Sequence, residues 1–205
     1  MSGATPLQIQ ADDAALRRVV VAVACANLAY FGVEFSAALA IGSVSLLADS
    51  IDFLEDAAIN GLIAVALAWS VRRRAQVGII LAGIILVPSL ATLWAAWGKA
   101  LNPAPPNPAT LSLVGAGALA VNLSCALALA RFRGASGSLT RAAFLSARND
   151  AVANVAIVAA GLLTALTLSG WPDIVVGLAI AAMNFDAARE VYEAARQERR
   201  LAAQA

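Results

Sequence analysis

Apolar runs of about 20 residues recur along this chain, separated by short polar or arginine-bearing breaks, and that length matches a helix crossing the ~30 Å hydrocarbon core of a bilayer. Val19–Ile41 is interrupted only by Asn27 and Glu34, whereas Leu46–Val71 carries Asp49, Asp52, Glu55 and Asp56. Val77–Trp97 has no charge, and Leu111–Ala130 has Asn122 as its one strongly polar side chain. Thr140–Leu168 contains a fifth run that begins polar, with Ser146, Arg148, Asn149 and Asp150, and ends apolar. Trp171–Ala188 is the sixth, its clean apolar stretch confined to Ile174–Met183. The chain is 61% apolar and 13% charged, against roughly 45–50% and about 25% in soluble domains. A water-soluble globule of 205 residues has no way to hide that much apolar side chain, so a soluble enzyme is excluded. A net charge of +1 speaks against a nucleic-acid partner. The expected fold class is therefore an all-α integral membrane protein with six transmembrane helices.

The breaks agree with this division. Arg72–Arg74 stop the second run, and Asn102–Pro108 reads as a stiff, non-helical connection after the third. Gly134–Ser138 reads as a flexible turn, and Gly170 with Pro172 separates the fifth and sixth runs. Met1–Gln10 lacks the cationic region and cleavage site of a signal peptide. Cations set the orientation. Arg17 and Arg18, Arg72–Arg74, Arg131, Arg133 and Arg141, and Arg189, Arg196, Arg199 and Arg200 all fall on one side of a six-span chain, while the other side holds only Lys99. Both termini are accordingly expected in the cytoplasm, with the Pro-rich loop facing out and the protein in the inner, cytoplasmic membrane. Three segments follow: residues 1–16 as a cytoplasmic N-terminal segment, 17–188 as the transmembrane unit, and 189–205 as a short cytoplasmic helical tail.

An ionisable side chain at membrane depth costs from about 2.5 kcal/mol upward and marks a function by default. At 100° per residue, Asp49, Asp52 and Asp56 fall on one stripe of the second helix, continued by Asn60, with Glu55 at its edge. The fifth span mirrors this with Ser146, Asn149, Asp150 and Asn154 on one face and Arg148 on nearly the opposite side. Asp49, early in its span, reads first as a capping or hydrogen-bonding group near the helix start. Asn27, Glu34 and Asn122 read as interhelical hydrogen-bonding groups. Arg148 reads as a snorkelling cation or a counter-ion, and Glu55 has no specific role. Asp52, Asp56 and Asp150 resist such readings. Carboxylates at i and i+4 put four oxygens within reach of one ion, and a second helix completes the shell, an arrangement suited to a divalent cation. Three close carboxylates in a low dielectric cannot all stay ionised, so entry of the metal expels protons.

The stretch Gly42-Ser43-Val44-Ser45-Leu46-Leu47-Ala48-Asp49-Ser50, followed by Asp52 and Asp56, resembles the second span of the cation diffusion facilitator family. Asn27 and Glu34, Asn122, and Gly170-Trp171-Pro172-Asp173 at the start of the sixth span add to the resemblance, which covers roughly Arg18–Arg189. It implies a six-helix, homodimeric antiporter exporting a divalent metal cation in exchange for protons, with zinc foremost and Cd, Co, Fe or Mn as alternatives. It also implies a tetrahedral metal site at Asp52, Asp56, Ser146 and Asp150, with Asp49, Asn149 and Asn154 as secondary candidates. No prosthetic group, nucleic acid or catalysis is implied; the partners are the metal, protons, membrane lipid and a second copy. The chain departs from the family twice. Ser146 stands where the family usually has histidine, which leaves an oxygen-only shell that favours harder ions. The cytoplasmic metal-sensing domain has no counterpart in these 205 residues.

Two other readings compete. Lipid head-group transferases also cluster aspartates on membrane helices, and Asp49-x-x-Asp52 faintly echoes their first pair, although the rest of that signature does not follow. A membrane subunit that binds metal or a partner without transporting is the second, motivated by Ser146.

Overall fold

The computed structural model describes residues 6–66, 90–130 and 137–204, with residues 80, 86 and 132 besides. These form α1 (Pro6–Ile41), α2 (Val44–Ala66), α3 (residues 90–101), α4 (Pro108–Ala130), α5 (Gly137–Thr167) and α6 (Trp171–Gln204). The fold is all-α. Among the described residues, three stretches are long and apolar enough to cross a membrane: Ala14–Ile41, Pro108–Ala130 and Ala147–Thr167. They make the chain an integral, multi-pass membrane protein. Its four acids set α2 apart from these three, and the charged second half sets α6 apart. Most of the expected third span Val77–Trp97 lies outside the described residues, as do Arg72–Arg74; α3 covers its end.

Local chemistry explains the helix ends. Gly42 has φ +62°, the left-handed conformation that costs glycine nothing, and Ser43 N–H then reaches back to the Ala38 carbonyl at 3.0 Å, closing α1 with a Schellman turn. Ser43 at once begins the next helix, its Oγ accepting from the Leu46 N–H at 3.2 Å as an N-cap. At α4, Asn107 is the cap, its Oδ1 accepting from the Thr110 N–H at 2.9 Å, and Pro108 takes the first helical position, where no N–H is needed. The non-helical connection thus ends one residue sooner than the sequence suggested. Likewise Gly137 and Ser138, expected in a turn, already belong to α5. The tail is no separate helix: α6 continues unbroken to Gln204, with the exposed Arg189 Nε 2.9 Å from Glu193 Oε1 one turn on.

Side chains are distributed inside out relative to a soluble bundle. Trp94, Leu101, Leu113, Leu127, Val152 and Leu166 are exposed, whereas Asn27, Glu34, Asp49, Asn60, Asn122, Asn154 and Asn184 are buried. Lipid tails accept the former; only neighbouring helices can satisfy the latter. The packed interior runs through Ala38, Leu46, Ala48, Leu111, Ile157 and Ile180, which joins α1, α2, α4, α5 and α6. Small residues let these helices approach. A Cβ on Gly177 would lie 2.6 Å from Val44 Cγ1 and 2.7 Å from the Ser45 backbone nitrogen, so α6 crosses the start of α2 in near-backbone contact. The turns 42–43, 102–107 and 168–170 gather at one end of the bundle: Lys99 Nζ donates to the Gly42 carbonyl, and the Gly170 N–H to Pro103 O at 3.1 Å.

Candidate metal centre

Helix α2 packs against both α5 and α6, and this places its polar stripe in the interior. Asp52 is crowded by carboxylates. Asp150, across on α5, lies within electrostatic reach of it, as do Asp49, Glu55 and Asp56 on its own helix. The two stripes therefore face one another, with Asp52 and Asp150 on the facing sides. Asp56 is buried one turn further along α2, and the Asn60 Nδ2 beyond it donates to the Asp56 backbone carbonyl at 2.8 Å. Ser146 lies on α5, but its side chain is outside the described residues. Among the described residues no three acidic or thiol groups converge closely enough to form a ready-made ion-holding set.

The three secondary positions separate clearly. Asn154 is wholly buried and bridges helices: its Nδ2 donates to Asp49 Oδ2, and its Oδ1 accepts from Asn122 Nδ2 at 3.0 Å. Asn122 thus has the interhelical role its sequence context suggested. Asn149 is exposed, its Oδ1 accepting from Arg148 Nη2 at 3.3 Å, so the long arginine side chain bends round to the stripe it was expected to avoid. Asp49 does not cap α2. It sits five residues past Val44, wholly buried, with Oδ1 lacking a hydrogen-bond donor among the described residues. The reason is geometric: the first N–H groups of α2 already have acceptors, and the periodicity carries Asp49 inward toward α5.

Asn27 departs from its expected role: it is fully buried, and neither polar atom of its side chain has a hydrogen-bond partner among the described residues. Glu34, equally buried, meets Asp49 on the next helix, the interhelical contact its sequence context suggested. Glu34 faces Asp49 across the α1–α2 hairpin, with Asp52 acting on it as well. A second acidic pair therefore stands beside the first. Nearby, Tyr30 Oη donates to Val114 O at 2.6 Å, and its ring lies 5.0 Å from that of Phe53, which fixes α1 against α4 and α2.

Sequence reasoning named Asp173 within the stretch that opens the sixth span but gave it no role. Asp173, at the start of α6, is fully buried and accepts five hydrogen bonds. Its Oδ1 accepts from Ser43 Oγ and Ser45 Oγ, each at 2.6 Å, and from Ser45 N–H at 3.1 Å. Its Oδ2 accepts from Val44 N–H at 2.9 Å and pairs with Lys99 Nζ at 2.8 Å. A carboxylate thus occupies the positive end of α2 and satisfies the two N–H groups that Ser43 leaves free. The available signal was thin: a Ser-x-Ser pair opening one helix, and Lys99 as the one cation on its side of the expected spans. Asn184 was missed too; its Nδ2 donates to Ala48 O at 3.1 Å and ties α6 to α2 beside Asp49.

The family model for the cation efflux transmembrane domain matches residues 20–197. No curated protein sequence is significantly similar to the chain.

Proposed function

The chain belongs to the cation efflux family, and from that premise we propose that it is a proton-coupled secondary transporter carrying a divalent metal cation, zinc foremost, out of the cytoplasm. It is a membrane transporter and not an enzyme, so the lipid head-group transferase reading falls. The observation that carries the proposal is the approach of Asp150 on α5 to Asp52 within a crowd of α2 carboxylates. Like charges are gathered there in a low-dielectric interior at a cost that a bound cation or bound protons repay. The same groups serve both cargoes in turn, because a carboxylate coordinates metal only after giving up its proton.

In this reading Asp52, Asp56, Ser146 and Asp150 close around the ion, and oxygen donors alone form the shell. That shell admits harder divalent ions alongside zinc. The termini lie in the cytoplasm, because arginines flank the spans on that side. A second copy joins through the membrane helices.

The test is metal uptake into reconstituted vesicles driven by an imposed pH gradient. Asp52→Ala and Asp56→Ala are each expected to abolish gradient-driven flux while the parent accumulates metal. Parent-like flux in both variants refutes the site, and metal binding by the parent without flux supports the non-transporting subunit instead.

A further inference from the structure

At the end of the bundle where the turns gather, one carboxylate fastens four helices. Asp173 on α6 holds Ser43, Val44 and Ser45 at the start of α2 and Lys99 at the end of α3. Lys99 in turn donates to the carbonyl of Gly42, the residue that closes α1. Gly177, one turn further along α6, presses on Val44 and Ser45 without space for a methyl group. On the inner side of this knot lie Asp49 and Glu34, wholly shielded, whereas Asp52 and Asp150, one turn further from it, are partly accessible. On its outer side a cavity of ≈ 380 Å³ is lined by Leu47, Lys99 and Pro105 among others.

We propose that Asp173 and Lys99 are the latch of an outer gate. With the latch made, the ends of α1, α2, α3 and α6 are drawn together and the carboxylates are closed off from the side of the Pro-rich loop. For the ion to leave there, Asp173 has to release the start of α2 or Lys99, opening the way into the outer cavity. A buried pair of opposite charges suits this task, because it is held strongly when dry and weakened as soon as water enters between its members. The inference rests on the transport reading for its purpose but not for its geometry, and the two are tested separately.

Cys25 and Cys125 are the chain's two cysteines, so a background with both replaced gives clean thiol labelling. Ala48, fully buried one turn inside the latch, is changed to cysteine, and the full-length protein is reconstituted in liposomes. A membrane-impermeant maleimide is then added from the side of the Pro-rich loop. Lys99→Gln is expected to label about tenfold faster than the parent, the population shift that losing one charge-assisted hydrogen bond brings. Lys99→Arg is expected to restore slow labelling, and Ser45→Ala, which removes one donor and keeps the ion pair, to fall between. In a second arm, metal flux is measured in the same liposomes. Parent-like labelling in a folded Lys99→Gln protein overturns the latch and leaves the transport reading standing. Faster labelling in vesicles that carry no metal leaves the latch standing and overturns the transport reading.

Discussion

Two sets of buried acids lie a few turns apart in this protein and are built on opposite plans. Asp173 is saturated: two side-chain hydroxyls, two backbone N–H groups and one ammonium converge on its two oxygens. Asp49, Asp52 and Glu34 lie among other carboxylates: Glu34 meets the carboxyl group of Asp49 in place of a fixed donor, and Asp52 is within electrostatic reach of Asp150, Asp49, Glu55 and Asp56. Both arrangements sit in the same membrane interior, so burial alone does not distinguish them. The supply of positive partners does. A carboxylate fully matched by fixed donors has nothing left to offer a passing ion and serves to hold helices. Carboxyl groups gathered without fixed positive partners repel one another when ionised, so they cannot all hold their charge together.

That contrast predicts opposite responses to neutralisation. The largest effect is expected for Asp173→Ala, which strands a lysine that is only 11% exposed and orphans two N–H groups at the start of α2. Breaking a buried pair by removing one partner costs about 3–5 kcal/mol, so the melting temperature in detergent is expected to fall sharply. A smaller loss, about 1–3 kcal/mol from overpacking, is expected for Gly177→Ala, because the new methyl meets the Ser45 backbone and not a movable side-chain end. The smallest change in stability, and of opposite sign, is expected for Asp52→Asn. Removing one charge from the crowd around it relieves repulsion from Asp150, Asp49, Glu55 and Asp56, so the melting temperature stays level or rises while flux is lost. If thermal melts show Asp52→Asn as damaging as Asp173→Ala, the division into holding and working carboxylates is wrong.

Much of the architecture was legible beforehand. The three strongly apolar helices were read from run length, and the caps at Ser43 and Asn107, although not singled out in the sequence, also follow from local rules, since each depends on residues within a turn of one another. The approach of Asp150 to Asp52 was also foreseeable from two stripes of helical period, although periodicity says only which face is polar and nothing about which helix it will meet. Asp49 shows where local reading stops. Its position early in α2 suggested a cap, and the cap came instead from Ser43 next door and from Asp173, 128 to 130 residues away. Asn154 likewise looked like a spare ligand until the fold set it between Asp49 and Asn122.

By itself, then, the sequence determined that this chain is an all-α membrane protein of the cation efflux family with two acidic stripes in its spans. Those properties are one-dimensional: run length against bilayer thickness, and residue spacing against the helical repeat. Only the tertiary structure decided which acids are matched by fixed donors and which face other carboxyl groups. A carboxylate's role depends on the donors around it, and in a helical bundle those donors come from helices far apart in the chain.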